Sequence, residues 1–208
     1  MGEKLMFTRA GLLLAWKEIR PYFIFAMMLF FAGMVIGGTP NAPTEYLNEQ
    51  MSKIASISTS IQKSDTPEMT AFLLITVNNI IASLMAMGMG IIAGLMPIYT
   101  LVANGMMVGY LLSGFSANGE NVFQLVVKGL LPHGILEMSA VFLACAFGIR
   151  FGMTLIGGVF GSAFGRKEPW SPFVRTATGA VPALIVIILL LLLGAVVEST
   201  ITYWLMKS

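Results

Sequence analysis

Charge is what this sequence has least of. Acidic and basic side chains together make up 11% of its 208 residues, against about 25% in a soluble globular domain. Too few charges remain to cover a water-facing surface, which excludes a soluble fold. The net charge of +2 is too small for a nucleic-acid footprint, so no nucleic acid is expected as a partner. Cysteine is nearly absent as well. Cys145 is single, so it forms no internal disulfide; between Ala144 and Ala146 it reads as a small apolar packing residue. Histidine occurs once, at position 133. No Cys/His cluster at zinc spacing, no phosphate-cradling glycine loop and no internal repeat is present. Nor does the N-terminal region read as a cleavable signal peptide, because no small-residue cleavage site follows its first apolar run.

What the chain does have is long uncharged runs. Apolar residues make up 57% and the mean hydropathy is +0.85. These values predict a multi-pass protein of the cell membrane. Within lipid every backbone polar group needs an internal partner, so runs of about 17–25 apolar residues predict transmembrane helices. The expected fold is all-α: one helical domain over 1–208 with five spans, at roughly 21–38, 69–93, 95–114, 132–152 and 178–206. Ahead of the first, residues 9–20 intersperse apolar positions with Arg9, Lys17, Glu18 and Arg20. They predict a short interfacial helix, with Pro21 opening the span. The 39–68 stretch is an outer loop in which Leu47, Met51, Ile54, Ile57 and Ile61 recur at three- and four-residue steps, an amphipathic helix over the outer face. Basic residues concentrate before the first span and at Arg150, Arg166, Lys167 and Arg175. The positive-inside rule then places the N-terminus in the cytoplasm, with Arg150 as a cytoplasmic anchor.

Polar residues inside such runs are costly and point to function. The candidate site is built around Leu131-Pro132-His133-Gly134-Ile135-Leu136-Glu137. Positions i and i+4 share one helix face, so His133 and Glu137 point the same way. Asn78, Asn79 and Asn104 come from two other spans yet fall in the same outer half of the bilayer, and Glu198 falls near that leaflet's boundary. A shared polar pocket opening outward accounts for all of them. Each also has a plainer role: His133 as an interfacial cap, the asparagines as helix–helix hydrogen-bond partners. The methionines between Met85 and Met96 read as packing residues. Imidazole and carboxylate donors suit a divalent cation such as zinc, with His133 and Glu137 as ligands. Two ligands do not close a site, and a homodimer would complete it.

The chain resembles the stage II sporulation protein M family of integral membrane proteins. The likeness rests on Val77-Asn78-Asn79, on the Pro97 to Asn104-Gly105 segment, and most specifically on Leu-Pro-His-Gly-Ile-Leu-Glu at 131–137. It covers essentially the whole chain. The resemblance implies a scaffold that holds other membrane or envelope proteins, as the spore-former member holds peptidoglycan-degrading partners at the engulfing membrane. Many relatives occur in organisms that make no spores, so that particular role does not transfer. Three functions compete. The first is a non-enzymatic scaffold or assembly protein. The second binds or transports a cation at His133 and Glu137. The third is an intramembrane hydrolase with Glu137 activating a metal-bound water, which lacks the usual second histidine. The scaffold reading leads, with no catalytic residue assigned.

Overall fold

The computed structural model describes residues 8–64 and 66–197. Six long helices carry the fold: α1 (Arg9–Gly37), α2 (Thr44–Gln62), α3 (Pro67–Gly88), α4 (Leu95–Ala117), α5 (Leu131–Ala163) and α6 (Ser171–Val197). Among the described residues there is no strand. All but α2 are long and apolar enough to cross a membrane, in agreement with the five expected spans.

The first departure from expectation is at Pro21. Residues 9–20 and the first span form one helix of 29 residues, with Pro21 inside it. The proline removes a single backbone hydrogen bond and its fixed φ is a helical value; packing on both sides of it outweighs that loss. Thr8 caps the start by accepting from the Gly11 N–H at 3.2 Å. At 1.5 Å per residue α1 is about 43 Å long, more than the roughly 30 Å of hydrocarbon. Its first turns therefore still project beyond the apolar layer, now as a rigid extension of the span.

α1 pairs with α4 through glycines on both helices. Gly33 and Gly37 lie against the backbone of Val102 and Met106, while Gly105 and Gly109 lie against Phe30 and Met34. None has room for a Cβ beside the opposing carbonyl, so the backbones approach as small-xxx-small membrane pairs do. A second close approach joins α5 to the α3–α4 connection. Gly148 and Gly152 of α5 meet Ala86, Gly90 and the backbone of Ala93 and Gly94. That connection is a short 3-10 turn, Met89–Ile91, followed by Ala93 and Gly94 at positive φ. Gly94 separates α3 from α4, where the sequence placed the break.

α5 is the hub, in contact with α1, α3, α4 and α6. Ala140, Ala144, Cys145 and Ala146 on it are fully buried. These small side chains let four helices converge on it, and larger ones fill the periphery: Ile187 and Leu191 of α6 on one side, Phe30 and Leu101 on the other. α5 continues to Ala163 rather than stopping near 152: Thr154 and Ser162 satisfy their hydroxyls on carbonyls of their own helix, and Trp170 and Pro169 pack against Gly158 and Gly161. It ends on Gly165, in the left-handed region, with the Arg166 N–H bonded to the Gly161 carbonyl at 2.9 Å, a glycine C-cap. α6 then starts at Ser171, earlier than the expected 178, and carries Pro182 within it.

The lead-in to α5 also differs. Pro132 lies in its first α-helical turn, but the chain is already helical from Val122. A three-residue α-turn capped by Asn121 passes into a π-helical segment, Leu125–Leu130. Wide π-turns relieve the clash of a proline ring with the preceding turn. α2 packs on α3 and α4 through buried Leu47 and two tyrosine bonds: Tyr46 to Tyr99 between hydroxyls at 2.9 Å, and Tyr110 donating to Asn48 Oδ1 at 2.7 Å.

Candidate functional site

The structure separates two polar regions at opposite ends of α5. The first is the expected one. Glu137 is half-buried nearly two turns beyond the start of α5. His133 belongs to that helix by its backbone, one turn earlier; its side chain lies outside the described residues, as does all of Glu198. Asn79 is half-buried, while Asn78 and Asn104 are exposed. Asn104 donates to the Thr100 carbonyl of its own helix at 2.9 Å. Among the described residues no hydrogen bond joins the three asparagines to one another. Nor do three or more His, Cys, Asp or Glu side chains gather there closely enough to hold a metal ion.

Sequence reading assigned no site role to two hydroxyls in this region. Thr76 and Ser83 are 6% and 2% exposed, and neither side-chain oxygen has a partner among the described residues. They sit two turns apart on α3, with Asn79 between them in sequence. Their i, i+7 spacing within an uncharged span was the available signal. A buried hydroxyl without a partner is uncommon in native proteins and marks a place for water or a ligand. At about 10 Å along the helix axis the two hydroxyls are too far apart to bind one cation together.

The second region was read as a membrane anchor, and the structure corrects that. The Arg150 side chain is 7% exposed and its Nη2 pairs with Glu18 Oε2. Arg175 Nε pairs with the other carboxylate oxygen, Oε1, at 3.1 Å, and its Nη1 donates to Ser171 Oγ at 2.8 Å. Glu18 therefore ties together α1, α5 and α6. Arg150 cannot reach headgroups as an anchor does because its buried side chain is folded inward onto the partly buried Glu18 carboxylate, and uncompensated charge in such a place would be expensive. Outside the spans, Tyr46 on α2 has its hydroxyl pushed up to about 12, first by burial and then by its hydrogen bond to Tyr99. Exposed Glu49 is held below its ordinary value by its bond to Lys53 at 2.8 Å.

A family model for stage II sporulation protein M matches residues 22–203. The chain belongs to the stage II sporulation protein M family. Both polar regions lie within the matched segment except Glu18, which precedes it. An uncharacterized protein of Methanocaldococcus jannaschii is 30% identical over 116 residues, 56% of this chain and 50% of that relative. The match thus spans about half of the curated relative's length. No solved structure matches this member of the family. Membership and the five apolar helices make it a multi-pass membrane protein.

Proposed function

We propose that the protein is a non-enzymatic scaffold of the cell membrane that holds other membrane or envelope proteins, with its N-terminus in the cytoplasm. The observation that carries this reading is the presentation of α2. Its N-terminal half is fixed by Leu47, Tyr46 and Asn48, yet further along Ile54 and Ile57 stand 50% and 49% exposed. A helix anchored at one end with isoleucines left uncovered is suited to receive an apolar partner surface. By the positive-inside rule it lies on the outer face, where envelope partners would be met. A photo-crosslinking residue at Ile57, activated in intact membranes, tests this. The reading expects crosslinked adducts of defined mass, lost in an Ile54→Asp variant that still folds. Labelling of lipid alone would overturn it. Adducts of twice the chain mass would identify a second copy as the partner.

A second reading keeps a divalent cation, with His133 and Glu137 as ligands. Its support is the half-buried Glu137 carboxylate four residues after His133 on the same helix. Plasma mass spectrometry on purified protein decides it. A stoichiometric metal lost in both His133→Ala and Glu137→Gln would favour binding. A metal-free protein whose variants merely melt earlier would leave the scaffold.

A further inference from the structure

At one end of the bundle α3 and α4 stop short of α5, and the step they leave is apolar. Their connection packs against Gly148 and Gly152 of α5, while α5 runs on to Ala163. The face that Gly152 presents to the connection continues at i+4, i+7 and i+8, as Ile156, Val159 and Phe160. These are 37%, 54% and 60% exposed. Ile91, Ile92 and Leu95 stand exposed at the foot of this wall, on the tip of the connection. Lys17 and Arg20 are exposed on α1. The pairing of Gly33 with Val102 and of Gly37 with Met106 along the parallel helices α1 and α4 sets them level with that tip. Long basic side chains in such a position mark the edge of the hydrocarbon. The Glu18 ion pair puts Arg150 at the same level. Val159 and Phe160 lie about 14–15 Å further along α5, whereas a headgroup layer is only about 5–8 Å deep. That distance carries them past the headgroups into water.

We propose that this step is a docking surface for an amphipathic helix of a cytoplasmic protein, apolar on one face and acidic along its flanks. Apolar side chains clustered on a water-facing wall mark a protein contact. A ledge meeting a wall has the grooved shape that receives a helix. The charges around it choose the partner's sign. Lys17 and Arg20 stand at the level of the foot, and Arg166 and Lys167 follow the top of the wall. Glu168 is the one exposed acid at that end among the described residues. A second copy fits poorly, because the membrane holds both chains at one height and would bring basic rim against basic rim. The positive-inside rule turns this end toward the cytoplasm. The surface lies at the opposite end of the bundle from α2 and goes beyond the scaffold reading.

Protection from thiol labelling tests it, on the full chain in phosphatidylcholine vesicles. Val159→Cys should react with a membrane-impermeant maleimide as fully as Lys167→Cys, an exposed reference past the wall. Met28→Cys, exposed midway along the α1 span, should not react, and the native Cys145 is fully buried. Failure of Val159→Cys to react would place the wall in lipid or against a second copy and overturn the proposal. Two synthetic helices are then added, with the same leucine face and with either glutamate or lysine flanks. The glutamate-flanked helix should protect Val159→Cys at a concentration about ten-fold lower than the lysine-flanked one, the effect of a few exposed charge pairs. Phe160→Asp, combined with Val159→Cys, should abolish that protection. Arg166→Glu together with Lys167→Glu should reverse the preference. All of these side chains are exposed, so the variants should fold. Protection by the glutamate-flanked helix that is no stronger than by the other, or that survives Phe160→Asp, would overturn the docking surface. A preference unmoved by the charge reversal would overturn the acidic assignment.

Discussion

The two ends of α5 solve the same problem in opposite ways. At the Arg150 end, charge is brought inside and matched to charge: one carboxylate from α1 holds guanidinium groups from α5 and α6. At the Glu137 end, hydroxyls are brought inside and left unmatched, and the neighbouring amides are partly or fully exposed. The first arrangement is what a structural clamp looks like, since leaving any member alone would strand a charge. The second resembles a place kept ready for something the chain does not itself supply. Ionisable residues within a membrane protein are thus poor guides to function until their partners are known. The most deeply buried of them here, Arg150, is the one whose role is most plainly mechanical.

Several substitutions would break or sharpen this contrast. The largest effect should come from Glu18→Leu, which leaves two guanidinium groups facing each other. Removing one partner of a buried pair costs about 3–5 kcal/mol, and the partial exposure of Arg175 places the expectation toward the lower figure. Equilibrium unfolding in bicelles measures it, and a loss below about 1 kcal/mol would show the clamp to be ornamental. Gly109→Val should follow, at about 1–3 kcal/mol or more, because no space exists between its Cβ position and the Met34 carbonyl. At the other end, Ser83→Ala should be nearly neutral or stabilising if the hydroxyl is truly unpartnered, since replacing it removes a desolvated polar group. A clear destabilisation would instead reveal a bound water or ligand. Tyr99→Phe should cost about 1 kcal/mol through the lost Tyr46 bond, with loosening of α2 visible in hydrogen exchange.

The smallest effect concerns pH. Tyr46 has a folded-state value raised from 10.0 to about 12, so its neutral form is favoured by folding. That contribution is complete below pH 10 and is lost as pH rises toward 12. Exchange protection of α2 should fall across that window in wild type and show no such step in Tyr46→Phe.

Much of this fold was legible because lipid leaves few choices. Uncharged runs gave five helices, and Gly94 gave the break between α3 and α4. The glycines at 105 and 109 were readable as sites of close approach, but their partners were not. What stayed hidden depended on distance along the chain. Glu18 is separated from Arg150 by 132 positions, and within its local sequence it looks like one more interfacial charge beside Lys17. Pro21 was misread for a related reason: a proline's local cost is visible in sequence, whereas the packing that overrides it comes from α4 and α5. At the candidate site, the i, i+4 spacing placed Glu137 correctly on a helix, while Thr76 and Ser83 were given no site role because hydroxyls in apolar helices usually bond to their own backbone. Thr100 and Thr154 do so here.

The left-handed step at Ala93 and Gly94 bears on how the topology can be mapped. Because the α3–α4 connection is wedged against Gly148 and Gly152, it offers no slack for an inserted epitope or a bulky labelling group, whichever side of the bilayer it faces. Reporter fusions at residues 89–94 would be expected to disrupt the bundle, and silence there would say nothing about sidedness. Pro169 and Trp170 pack on Gly161 and Gly158 of α5, so within the following turn the exposed Arg166 and Lys167 are the tolerant position at the same end, where a tag would report orientation.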